Sequence, residues 1–114
     1  MTMQYDVVLV PFPFDDLSGN KVRPAVCLTD AVGAHRHVVL AFITSAVPRV
    51  PEPTDVMLDP ASVDFVPTGL RVCSVLRVHR MVTVSDSIIQ RRLGVLTPNL
   101  QSEVRQRIRA LFGV

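Results

Sequence analysis

A chain of 114 residues is one domain with room for a real core, and 48% apolar against 19% charged residues excludes a disordered segment. No apolar run reaches the roughly 18 residues that cross a bilayer, and MTMQYDVV has no basic segment before an apolar one, so a cytoplasmic protein is expected. The net charge of +2 hides an asymmetry of −4 over residues 1–64 and +6 over residues 65–114, and eleven of the twelve basic residues are Arg. Arg favours bidentate work on phosphate or carboxylate; a G+C-rich genome explains the same letters.

In chain order, Val7–Val10 reads as a short strand buried on both faces, and Pro11-Phe12-Pro13-Phe14 cannot continue a central one. Residues 15–20 carry turn chemistry. Ala25–Leu28 is a second strand, entered through Val22-Arg23-Pro24, which places a guanidinium at the mouth of a buried strand. His37–Thr44 is a third strand. Residues 46–54, AVPRVPEPT, form an exposed, stiff loop, and Asp55–Leu58 is a fourth strand. Leu70–Val78 alternates loosely and Met81–Val84 resumes after His79-Arg80, which predicts a strand with a bend or bulge near Arg80. Ser85-Asp86-Ser87 offers one turn of helix-start chemistry, and Leu93–Leu96 is a last short strand.

One segment is clearly helical. Thr97 is suited to the N-cap, Pro98 to the first position and Gly113 to the end, with Leu100, Val104, Ile108 and Leu111 as one apolar stripe. Six or seven short strands and a terminal helix predict a mainly β fold, a small curved sheet or barrel. Cys27 and Cys73 both fall in apolar runs and read as buried free thiols, with a disulfide across adjacent strands as the alternative.

The sequence contains no glycine-rich phosphate loop, CxxC pair, HExxH or GxSxG motif. What remains is polar residues at strand ends. Arg23 either pairs with Asp15 or Asp16 to close its own loop or holds a phosphate. Thr44-Ser45 either makes a local turn bond or presents two hydroxyls. Arg77 and His79 share a strand face by period two; a cation beside an imidazole can hold a phosphate and move a proton, and a solvated face fits equally. His35 and His37 read as surface residues without a metal-site pattern.

The blocks DVVLVPFPFDDLSGNKVRPAVCL, AFITS, SVLRVHRMVTV and RRLGVLTPNLQSEVRQRIRALFGV together resemble the MazF/PemK toxins of type II toxin–antitoxin pairs, over nearly the whole chain. The resemblance implies a compact SH3-like barrel with a C-terminal helix, of the MazF/CcdB kind and usually dimeric. It implies a metal-independent, sequence-selective endoribonuclease that cleaves single-stranded RNA without a cofactor, neutralised by a cognate antitoxin with an acidic tail. The family's catalytic Arg before Pro falls on Arg23, and its Thr-Ser strand end on Thr44 and Ser45. Its later-strand Arg falls on Arg77, with His79 where some members have Asp. Several members carry Glu or His in the first loop, where this chain has Asp15, Asp16, Ser18, Asn20 and Lys21. The catalytic set implied is Arg23, Thr44, Arg77 and His79; the RNA contacts implied are Ser45, Asn20, Lys21, Phe14, Arg49 and Arg80. The alternatives are a CcdB-like toxin that binds DNA gyrase without cutting RNA, and an inactive relative.

Overall fold

The computed structural model describes residues 2–11 and 21–114. The expectations placed on Phe14 and Asn20, and the pairing of Arg23 with Asp15 or Asp16, lie outside the described residues. Among the described residues six strands form one antiparallel, strongly curled sheet: β1 (Asp6–Pro11), β2 (Val22–Cys27), β3 (His37–Thr44), β4 (Asp55–Leu58), β5 (Ser74–Ser85) and β6 (Arg91–Val95). Their order is β4-β5-β3-β2-β1-β6, followed in sequence by the helix α1 (Pro98–Phe112). This is the mainly β half-barrel with a C-terminal helix that the sequence predicts. No helix of the described residues is long and apolar enough to cross a membrane.

Both faces of the sheet are buried across β1 to β3, which explains the continuous apolar runs there. One face gathers Val7, Val26, Ala41, Ile43, Val56, Leu76 and Val78 beneath Leu100 and Val104 of α1. The other gathers Val8, Val10, Ala25, Cys27, Val38 and Leu40, flanked by Val82, Val84, Ile88 and Ile89. Period two decides the assignment: Val8 and Val10 turn one way while Val7 turns the other. At roughly 1.5–3 kcal/mol per fully buried Val or Leu, these two layers dominate folding.

Helix α1 begins and ends as its local residues dictate. The Thr97 hydroxyl accepts from Leu100 N–H at 3.4 Å and donates to Asp64 Oδ1 at 2.7 Å, and Gly113 closes the helix at φ 69°. Leu100 and Val104 are buried, whereas Leu111 is 38% exposed, so the expected apolar stripe runs past the end of the sheet that it covers.

Several boundaries differ from expectation. β2 begins at Val22, so Arg23 lies inside the strand opposite Val10 rather than before its mouth. Leu70–Cys73 is not strand: β4 ends at Leu58, paired with Ser74, and offers residues 70–73 no partner. β6 starts at Arg91 because Val8 and Leu9 of β1 reach back to pair with Arg92 and Arg91. Gly69 and Gly94 mark where the 3₁₀ turn Val66–Thr68 lies directly on β6, since a Cβ on either would strike the other segment's backbone.

Both cysteines are free, Cys27 buried in the second layer and Cys73 half-buried outside any strand. Burial, and then the nearby Asp6 carboxylate, push the Cys27 thiol up to about 12. Iodoacetamide at pH 8 is therefore expected to label Cys73 and spare Cys27 until the chain is unfolded, as read by mass spectrometry. The sign of the linkage follows. The unfolded thiol ionises from its ordinary value of 9.0 while the folded thiol keeps its proton, so stability is lost as pH rises from 9.0 toward about 12.

Candidate active site

The charge asymmetry along the chain resolves partly into ion pairs between its halves. Arg36 pairs with Asp86 at 2.8 Å, Arg77 with Asp55 at 3.1 Å and Arg92 with Asp6 at 3.0 Å. Arg92 and Arg77 therefore have structural partners, and Arg-richness alone does not mark a ligand site.

Position does. The β2–β3 ladder ends at Ala25–Phe42, next to Pro24, which has no N–H to extend it. On the other side of β3, the ladder with β5 breaks between Ala41–Met81 and Ile43–Leu76. Four residues of β5, Arg77 to Arg80, stand against the single residue Phe42. The bend expected near Arg80 is this bulge. Where both ladders open, a cleft of about 330 Å³ forms, lined by Arg23, Phe42, Ile43, Thr44, Ala46, Arg77 and Arg80.

Three guanidiniums and a hydroxyl thus converge from three strands. Arg23 and Arg77 are half-buried and Arg80 is exposed. Thr44 Oγ1 accepts from Ala46 N–H at 3.1 Å, the local turn bond expected of it, and its own hydrogen remains to donate. Such a cleft suits an anionic group and offers it N–H and O–H donors.

A second cleft of about 480 Å³ adjoins the first and shares Arg77 with it; Glu52, Pro53, Thr54, His79, Ala110 and Leu111 complete its wall. His79 therefore stands beside Arg77, as period two predicts, yet is not among the residues lining the Arg23 cleft. Its Nδ1 lies 2.7 Å from Thr54 Oγ1, so Nε2 is the nitrogen left to meet a ligand. The Arg77 guanidinium is held from below: Nε donates to Asp55 Oδ1 at 3.1 Å, and Asp55 Oδ2 accepts from Glu52 N–H at 2.8 Å.

Of the other residues implied by resemblance, Lys21, Ser45 and Arg49 are exposed and line neither cleft. Loop 46–54 is exposed as expected and is tied to α1 by Arg107, which donates to the Pro53 carbonyl at 2.9 Å. Sequence reasoning missed Phe42 as the pivot between the two broken ladders, and Asp55 and Thr54 as the supports of Arg77 and His79. The one available signal was an acid heading the otherwise apolar DVML. Among the described residues no group of three or more His, Cys, Asp or Glu could hold a metal ion.

Solved structures share this architecture. The Mycobacterium tuberculosis toxin MazF-mt6 is 22% identical with a TM-score of 0.68, covering 96% of this chain and 97% of that one. MazF from Deinococcus radiodurans is 20% identical with a TM-score of 0.73, covering 99% and 97%. A mycobacterial endoribonuclease in complex with its cognate antitoxin is 18% identical with a TM-score of 0.69, covering 100% and 97%. Comparison with curated protein sequences gives no match. The curled sheet with its terminal helix is thus the fold of MazF-type toxins. A family model for PemK-like, MazF-like toxins of type II toxin–antitoxin systems matches residues 3–112, and the chain belongs to that family.

Proposed function

We propose that the chain is a metal-independent endoribonuclease that cleaves single-stranded RNA, and that the Arg23 cleft holds the scissile phosphate. The observation that carries this reading is the convergence of Arg23, Thr44, Arg77 and Arg80 on one cleft at the break in two ladders. Family membership supports it independently.

The reaction needs few parts. The ribose 2′-oxygen attacks the adjacent phosphorus, the P–O5′ bond breaks, and the products are a 2′,3′-cyclic phosphate and a 5′-hydroxyl. The nucleophile is internal to the substrate, so the chemistry does not call for a metal-bound water. Charge gathers on the phosphorane oxygens, where Arg23, Arg77 and the Thr44 hydroxyl donate. The 2′-hydroxyl proton must leave and the 5′-oxygen must gain one; His79, working through Nε2 from the adjoining cleft, is the proton carrier of this scheme. Arg80, and Lys21, Ser45 and Arg49 outside the cleft, contact the flanking RNA, and Phe14 and Asn20 complete that set.

The protein acts in the cytoplasm as a homodimer, and its partner is an antitoxin whose acidic, apolar tail lies along the arginine cleft and masks Arg23. A labelled single-stranded RNA incubated with the protein in EDTA tests the activity. The expected products have 5′-hydroxyl ends that polynucleotide kinase can label directly. No cleavage together with gyrase inhibition would replace the nuclease by a binding toxin. In the same assay, His79→Gln is expected to lower the single-turnover rate by about 100-fold. An unchanged rate removes His79 from proton transfer.

A further inference from the structure

Asp55 is a charged residue that the hydrophobic core does not require. In β4, Val56 and Leu58 turn toward the core, while Asp55 shares the opposite face with Met57, which is 39% exposed. On that outer face the Asp55 side chain is nonetheless 0% exposed, beneath an Arg77 side chain that is 19% exposed. A carboxylate so enclosed is costly unless it is paired and fully hydrogen-bonded. Both of its oxygens are used. Oδ1 accepts from Arg77 Nε at 3.1 Å and Oδ2 from Glu52 N–H at 2.8 Å, while Asp55 N–H donates to the Glu52 carbonyl at 3.0 Å. Asp55 and Arg77 are also direct cross-strand partners, at the last pair before β5 bulges away.

That geometry fixes a plane. Donation through Nε pins the inner edge of the guanidinium and leaves its two Nη groups for the clefts that Arg77 separates. Arg36 and Arg92 also bond a carboxylate through Nε, but neither lines these clefts. Thr54, the neighbour of Asp55, bonds His79 Nδ1, so adjacent residues at one strand end support two of the bulge's three polar side chains, Arg77 and His79.

We propose that Asp55 is a positioning residue for RNA cleavage, acting through Arg77 by holding its Nη groups toward the scissile phosphate. The proposal rests on the nuclease reading above. Asp55 touches no substrate; its removal misaims a donor rather than deleting one, so the cost falls on the rate more than on binding.

The test is a double-mutant cycle on the full chain, using single-turnover cleavage of a single-stranded RNA in EDTA with melting temperatures measured alongside. Asp55→Asn is expected to lower the saturating rate about tenfold or more while the half-saturating RNA concentration moves less than about threefold. In Arg77→Ala the same change at Asp55 is expected to cost less than about twofold further, because the group it serves is already gone. If Asp55→Asn melts below the assay temperature, Asp55→Ser, whose hydroxyl can still accept from Glu52 N–H, takes its place in the cycle. Wild-type rates in the single variant, or effects that multiply in the double variant, overturn the assignment while wild-type cleavage leaves the nuclease reading standing. An inert wild-type protein overturns the nuclease reading and takes this assignment with it.

Discussion

Arg23→Ala is expected to cut the single-turnover rate of RNA cleavage by about 100- to 1000-fold, the usual cost of removing one donor from a developing oxyanion. Arg23 is placed for that role by its neighbours: Pro24 beside it stands where the β2–β3 ladder ends, and Val10 faces it across β1. The strand therefore delivers the guanidinium from a rigid element, which is worth more to a transition state than the same group on a loop. Arg23→Lys is expected to lose nearly as much, because an ammonium keeps the charge but not the planar fork that meets two phosphate oxygens. Rate constants at saturating RNA for both variants, compared with the wild type, measure the effect. A change smaller than about threefold would remove Arg23 from the chemistry, and with it the main support for the cleft as the reaction site.

Gly94→Ala is expected to be among the most damaging substitutions in the fold, about 3 kcal/mol or more, or a melting temperature lower by roughly 12 °C. A Cβ at this position would land on the Pro67 carbonyl oxygen, 2.6 Å from the Thr68 carbonyl carbon and 2.7 Å from its oxygen. All three are backbone atoms of the 3₁₀ turn, so no side chain can swing aside. From the other segment, Gly69 meets the Leu93 carbonyl in the same way and needs φ 75° as well. The two backbones touch without side chains between them, and Thr68, fully buried, fills the space beside the contact. Thermal or urea unfolding checks the prediction, with Val95→Ala as a neighbouring control expected to cost far less.

What was legible in the sequence follows the range of the interactions involved. The cap at Thr97, the turn at Pro98 and the stop at Gly113 act over three or four residues, and the helix appeared where they placed it. Apolar runs revealed the strands, because a sheet buried on both sides needs Val and Leu at successive positions. Their ends were less legible, since a strand stops where its partner stops: residues 70–73 alternate like a strand but have nothing to pair with beyond Leu58. At the cleft, Arg23, Thr44 and Arg77 were named from strand ends and resemblance, and the structure brings them together. The bonds that hold them were not legible. Asp55 and Arg77 are 22 residues apart and Thr54 and His79 are 25, and only the register of β4 on β5 sets them side by side.

The position of β1 has a consequence for how the protein comes into being. Of the six described strands β1 is made first and β6 last, yet β1 lies between β2 and β6. On the ribosome, a nascent chain can form the hairpin of β1 with β2 and add β3, but one edge of β1 stays open until residues 91–95 emerge. Helix α1, which covers one face of the sheet, follows later still. Among the described residues, the walls of the arginine cleft come from residues 23–80, so these parts are synthesised before the segments that close the sheet around them. Closure of the sheet therefore waits on β6, however early the other five strands have paired.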